Sequence, residues 1–232
     1  MANKQNKPDK TQANKPVKIS KAKGRPMLTW VGKRPLSTVK AYPAQAIERF
    51  EVEQGTSESR DWPDWPQRFD QGGLLFHGDN KDVLAHLLAN GFRGKVKLIY
   101  IDPPFDSGAD YVRKVQLRGV SGSQKIDGET YTLGEQIQYT DIWANDNYLQ
   151  FMYERLLMLR ELLSPDGSMV LHADSSKGHY LRVLLDEVFS TDNFRSEITW
   201  HYVKYQMGAT KQFVDNNCLL YTSDAADDLF RV

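Results

Sequence analysis

Asp102, Pro103, Pro104 and Phe105 stand in a row directly after an apolar run, Val96-Lys97-Leu98-Ile99-Tyr100-Ile101. Two prolines fix φ and remove two backbone donors, which leaves carbonyl acceptors on a stiff turn. The Asp102 carboxylate adds a charged acceptor, and Phe105 adds a flat stacking face. Such a set suits a planar amino group with two N–H donors on a flat ring, as in the exocyclic amine of a nucleobase. The lone pair of that nitrogen is delocalised into the ring, so the amine is a poor nucleophile. Accepting one hydrogen on Asp102 and the other on the Pro103 carbonyl draws the nitrogen towards tetrahedral geometry. The lone pair is then free for in-line attack on a methyl group carried by a sulfonium. Phe105 would stack on the base, which must leave the duplex to reach such a site. Neither a metal nor a strong general base is needed.

These residues need elements to hold them. Leu74-Leu75-Phe76-His77 predicts a short buried strand that ends at Gly78-Asp79-Asn80. Asp79 or Asn80 can cap the helix that follows, where Val83, Leu84, Leu87 and Leu88 recur with helical spacing. Residues 96–101 predict a second buried strand, and strand, helix and strand in succession make a parallel βαβ unit. The polar stretch 106–146 is too long for a plain connection, so it is expected to be functional or to carry small elements. Within it Arg113, Lys114, Arg118 and Lys125, with Tyr111 and Tyr131, could contact phosphates or form a solvated face. Leu149, Met152, Leu156, Leu159 and Leu163 predict an amphipathic core helix ended by Pro165-Asp166-Gly167. A strand over 168–173, a helix carrying Tyr180, Leu181, Leu184, Leu185 and Val188, and a half-buried strand over 197–202 complete the alternation. The pattern predicts an α/β sheet with helices on both faces, and Asp102–Phe105 at the carboxyl end of a strand, where such sheets place ligands.

Composition narrows the class. The 232 residues are 40% hydrophobic, with 30 basic and 30 acidic side chains, which excludes a wholly disordered chain. One cysteine, Cys218, excludes a disulfide framework. No apolar run approaches the roughly 18 residues of a membrane span, and no early segment reads as a signal peptide, so a soluble cytoplasmic protein is expected. The neutral charge is an average of unlike parts. Residues 1–25 hold eight basic residues and one acid, a net of +7, which leaves −7 for the rest. That stretch is poor in large apolar side chains and is expected to be a disordered basic arm, either solubilising or held against nucleic-acid phosphates. Residues 26–72 form an aromatic-rich extension expected to pack onto the main domain. Residues 73–217 form the domain itself, and 218–232 form a tail.

Leu98-Ile99-Tyr100-Ile101-Asp102-Pro103-Pro104-Phe105 resembles the catalytic motif of amino-group DNA methyltransferases. His77-Gly78-Asp79-Asn80 resembles the strand end that precedes this motif in the family. Tyr139–Trp143, Gly167–Asp174, Leu184–Phe189, Asn193-Phe194 and Glu197–Trp200 are similar to family segments in the expected order. The resemblance covers roughly residues 27–217. It points to the branch with the catalytic half first, which includes the modification subunits of type III restriction systems. It implies a partial Rossmann-like methyltransferase sheet, S-adenosylmethionine as cofactor, and DNA as partner. For the full-length protein it implies a homodimer and a restriction-nuclease subunit, with no membrane. Asp102, Pro103, Pro104 and Phe105 are the implied catalytic residues, and Asp79, near the adenosine, is the implied cofactor contact; helix capping is the other reading of Asp79. An aspartate in first position is the usual form for adenine N6, and cytosine-N4 enzymes mostly begin with serine.

One part of the family pattern is missing. None of the sixteen glycines is followed by another two positions on, so the Phe-x-Gly-x-Gly cofactor loop is not in this sequence. Cys218–Asp228 departs from the family and resembles translated adapter read-through, so 218–232 is expected to be artefactual. The chain is therefore expected to be the N-terminal part of a longer enzyme, poorly folded and inactive alone. Two other classes fit the sequence less well. A non-catalytic nucleic-acid-binding relative would be favoured by loss of Asp102 or Phe105, and both are intact. A metal-dependent hydrolase could use His172, Asp174 and His179, or His77 and Asp79, but lacks further carboxylates in usable order.

Overall fold

A computed structural model of the chain describes residues 16–45, 47, 73–106, 110–114, 135–140, 146–202 and 217–225. Arg118, Lys125, Tyr131, Asp141-Ile142-Trp143, Trp62–Pro66 and residues 1–15 of the basic stretch lie outside the described residues.

The described chain opens with β1 (Pro16–Lys18), which pairs antiparallel with β2 (Thr38–Lys40). Val17 and Val39 face each other across the ladder and are buried, while the lysines beside them point to solvent. Residues 16–25 thus differ from the arm that their composition predicts. Val17 and Ile19 are few apolar side chains among many lysines, yet both are buried in the main core.

Helix α1 (Asn80–Ala89) begins at Asp79, whose side chain accepts the Lys81 N–H as an N-cap. Residues 73–77 before it are not a strand. Among the described residues no strand lies alongside to pair with them, and Leu75 points into solvent. The first strand of the expected βαβ unit is therefore not formed there. Strand β3 (Val96–Ile101) follows as predicted. The long polar stretch carries β4 (Asp110–Lys114) and β5 (Glu135–Thr140), an antiparallel pair.

Helix α2 (Asn147–Leu162) buries more of its circumference than its leucine stripe predicts: Tyr148, Gln150, Tyr153, Arg155, Leu157 and Met158 are buried as well. It lies between α1 and α3 (Gly178–Phe189), and the 16–45 segment covers it. Gln150 accepts the Arg34 N–H and returns a hydrogen bond to the Arg34 carbonyl, both at 3.0 Å. The Trp30 ring meets Tyr153 edge-on at 5.8 Å, so the extension does pack an aromatic onto the domain.

Strand β6 (Leu163–Ala173) leaves α2 directly. Its register with β3 jumps from Val96↔Leu163 to Leu98↔Ser168, which absorbs the Pro165-Asp166-Gly167 turn in a bulge. A side chain at Gly167 would come within 2.7 Å of the Val96 carbonyl oxygen, so the bulge admits only glycine without a shift. After α3 and a short 3-10 turn (Thr191–Asn193) come β7 (Phe194–His201) and β8 (Asn217–Asp224).

The main sheet runs β3-β6-β8-β7. Strands β3 and β6 are parallel, and β8 is antiparallel to both β6 and β7, so β7 runs with β6. Strand β8, which takes in residues 218–224 of the stretch that sequence assigned to a tail, therefore occupies an internal position of the sheet.

The two faces of the sheet differ. Ile99, Met169, Leu171, Ala173 and Tyr221 lie on one face and are buried under the helices. Leu98, Tyr100, Ile198 and Trp200 lie on the other, 65%, 58%, 47% and 61% exposed. The alternation follows from the two-residue period of a strand. Of the helices expected on both faces, those among the described residues share one. No helix among the described residues is long and apolar enough to cross a membrane.

Candidate active site

The parallel pair β3 and β6 places two carboxyl ends on one edge of the sheet. Ile101 is in register with Leu171, so Asp102 and His172, each one residue further, come side by side on the uncovered face. The His172 Nδ1 lies 2.9 Å from Asp102 Oδ1. That contact is off the line of a straight N–H···O bond, and Nδ1 is buried without a hydrogen bond. The Phe105 ring meets the His172 ring edge-on, with centroids 5.3 Å apart at 82°. The Asp102 side chain remains 58% exposed, open to a ligand from the solvent side.

The segment after the motif is tied to the turn after β6. Asp106 has a φ of 56°, in the left-handed region, and its Oδ2 lies 2.7 Å from Lys177 Nζ. An aspartate tolerates this backbone better than most side chains. The turn that carries Lys177 is shaped by Asp174, whose Oδ1 accepts from the Ser176 N–H at 3.0 Å and the Ser176 hydroxyl at 2.7 Å. Asp102–Asp106 and His172–Lys177 are thus two adjoining loops joined at three points.

Asp79 sits elsewhere, with contacts to Lys81 and Arg155 rather than to the Asp102–Phe105 segment. Its Oδ1 accepts the Lys81 N–H at 2.7 Å and an Arg155 Nη2 donor at 3.0 Å. Both bonds fall on Oδ1, and the side chain is 58% exposed. Arg155 lies over the Phe151 ring, 3.4 Å from its centroid. Burial lowers the guanidinium pKa, and the charges of Asp79 and Glu154 offset only part of that.

His172, Asp174 and His179 do not converge as a metal site would. His172 faces Asp102, Asp174 shapes its own turn, and the His179 ring lies tilted against Tyr180, centroids 4.0 Å apart. No group of three or more His, Cys, Asp or Glu side chains among the described residues is placed to hold a metal ion. Cys218 is half-buried; burial and then the nearby Asp102 charge raise its thiol pKa.

Sequence reasoning missed the pairing of His172 with Asp102 and of Lys177 with Asp106. The first was open to a register argument, because residues that follow two parallel strands share an edge. The second depends on the left-handed backbone at Asp106, which has no signature in sequence.

The family model described as DNA methylase, for the N6 and N4 enzymes, matches residues 96–222. The probable type III restriction-modification enzyme HindVI Mod subunit of Haemophilus influenzae is 33% identical over 135 residues, 58% of this chain and 14% of that protein. The type III restriction-modification enzyme EcoPI Mod subunit of Escherichia phage P1 is 34% identical over 130 residues, 54% of this chain and 20% of its own length. The type II methyltransferase M.EcaI of Enterobacter cloacae is 31% identical over 121 residues, 52% of this chain and 22% of its own. The chain therefore spans between 14% and 22% of the length of these relatives. The matched region contains β3, the Asp102–Phe105 motif, α2, β6, α3 and β7, and on that match the chain belongs to the N6/N4 DNA methylase family.

Proposed function

We propose that this chain carries the amine-binding part of a DNA methyltransferase site that acts on N6 of adenine. The observation that carries the reading is the exposed Asp102 carboxylate at the end of β3, followed by Pro103, Pro104 and Phe105 and backed by β6. Asp102 accepts one N–H of the flipped adenine and the Pro103 carbonyl accepts the other. Pro104 keeps the turn stiff, and Phe105 stacks on the base. As the nitrogen gains its fourth bond, positive charge develops beside Asp102, which stabilises it more than the neutral ground state. S-adenosylmethionine supplies the methyl group as a sulfonium when bound. The Asp79 carboxylate would accept from a hydroxyl of its adenosine.

Two of the similar proteins named above are Mod subunits of type III restriction-modification enzymes. We propose accordingly that the full-length protein acts on DNA in the cytoplasm, as a homodimer beside a restriction-nuclease subunit.

The test is expression of the complete reading frame that encodes this chain in a host without adenine methylases, followed by nucleoside mass spectrometry of plasmid DNA. N6-methyladenine is expected with the wild type and not with Asp102→Ala. An N4-methylcytosine signal, no methyl mark, or a mark that persists in Asp102→Ala would overturn the reading.

A further inference from the structure

We propose that His172 is a positioning residue for Asp102, holding one carboxylate oxygen so that the other faces the amine. The inference rests on the reading of Asp102 as the amine acceptor. It starts from an unsatisfied atom: Nδ1 of His172 is shut off from water, makes no hydrogen bond, and lies 2.9 Å from Asp102 Oδ1. A lone pair on Nδ1 would confront the carboxylate lone pairs at that distance and repel them. A proton on Nδ1 converts the same contact into a charge-assisted hydrogen bond after a small rotation of either side chain. The geometry therefore assigns the proton to Nδ1.

The surroundings restrict where the ring can go. Phe105 meets it edge-on, and β6 fixes its backbone between β3 and β8. The other charged groups of the two loops are Asp106, Asp174 and Lys177. Lys177 is engaged with Asp106, and Asp174 with Ser176, which leaves Asp102 as the acceptor in reach of Nδ1. A freely rotating carboxylate would present either oxygen, or neither, to the amine. With Oδ1 held by His172, Oδ2 has one orientation. Because Phe105 leans on the same imidazole, one side chain sets both the acceptor and the stacking ring.

The experiment compares His172→Leu and His172→Asn in the full-length protein. Leucine fills the space without a donor, whereas the asparagine amide can place an N–H near the position of Nδ1. In His172→Leu, kcat for N6 methylation is expected to fall about tenfold to a hundredfold, the usual consequence of a misplaced reacting group. KM for DNA should stay within about twofold and the thermal midpoint should hold. His172→Asn should recover most of the lost rate. A wild-type kcat in His172→Leu, or an equal loss in both variants, overturns the proposal. A second arm needs no turnover: nitrogen-15 spectra of labelled histidine should show a protonated Nδ1 in the wild type and its loss in Asp102→Leu. An Nδ1 without a proton in the wild type, or one unaffected by that substitution, sinks the proposal whether or not the methyl-transfer reading holds.

Discussion

Lys33 and Glu187 meet across the seam between the N-terminal segment and α3, with the ammonium 2.6 Å from Oε1 and 2.8 Å from Oε2. Glu187 is 1% exposed, and its Oε2 also accepts the Leu28 N–H at 3.0 Å. The same ammonium lies 4.7 Å from the Trp30 ring centroid and 4.6 Å from that of Tyr153. A buried carboxylate is costly unless paired, so this lysine is what makes the glutamate tolerable. Lys33→Met is expected to lower the unfolding free energy by about 3 kcal/mol, and adding Glu187→Leu should restore most of it. Urea unfolding followed by circular dichroism measures both, and equal losses in the single and double variants would refute the pairing argument.

Gly24 donates its N–H to the Glu187 carbonyl at 2.9 Å, at the last turn of α3. A methyl group there would stand 2.0 Å from the Asp186 carbonyl oxygen, a backbone atom that cannot swing aside. Gly24→Ala should cost about 1–3 kcal/mol and expose the N-terminal segment to limited proteolysis. Cleavage at the wild-type rate would count against the close approach.

The one-residue step between Leu98 and Ile99 tests the sheet's orientation. Ile99 is 8% exposed and Leu98 65%. Ile99→Ala is expected to cost about 2–4 kcal/mol and Leu98→Ala under about 1 kcal/mol. Reversed values would mean that β3 presents its other face to the helices.

Glu154 sets an acid limit on the α1–α2 contact. Burial acts to raise its pKa, but hydrogen bonds from Lys81 and Gln150, with the Lys81 and Arg155 charges, outweigh burial and bring it below the ordinary 4.5. A depressed carboxyl contributes stability above its unfolded pKa and loses it as pH falls through the folded value. Glu154→Gln should therefore be less stable than the wild type at neutral pH, and the difference should shrink as pH falls through the lowered folded value. Parallel unfolding curves from pH 7 to pH 3 check this, and a constant difference across the range would contradict it.

Phe105 can be separated from Asp102 by what each binds. Base stacking is worth about 1–3 kcal/mol, so Phe105→Ala in the full-length protein should weaken capture of a flipped base roughly tenfold, and Phe105→Trp should retain it. Fluorescence of 2-aminopurine at the target position reports the flipping directly. Equal signals in Phe105→Ala and the wild type would remove Phe105 from base recognition.

The parts of this architecture that were legible in sequence are those with strong local patterns. Strand β3, the three helices and the motif at Asp102 follow from apolar spacing and proline stiffness, which act over a few residues. The breadth of burial on α2 was not legible, because Gln150 and Tyr153 are met by the distant 16–45 segment and Arg155 by the start of α1, contacts that the helix's own spacing does not encode. The strand expected at 74–77 failed for a related reason: an apolar run becomes a strand only when a neighbour supplies hydrogen bonds. Val17 and Ile19 were obscured by the lysines around them. At the site, composition and order identified Asp102 and Phe105, whereas the His172 contact required the register of two strands.

The position of β8 has a consequence for synthesis. Strands β6 and β7 leave the ribosome first, yet neither is hydrogen-bonded to the other, because residues 217–224 lie between them. Until those residues emerge, the nascent chain presents an open edge on β6 and an unpaired β7 that exposes Ile198 and Trp200. During that interval the chain is open to strand exchange with a neighbouring copy, and a chaperone that shields β7 would improve the yield of correctly closed sheets.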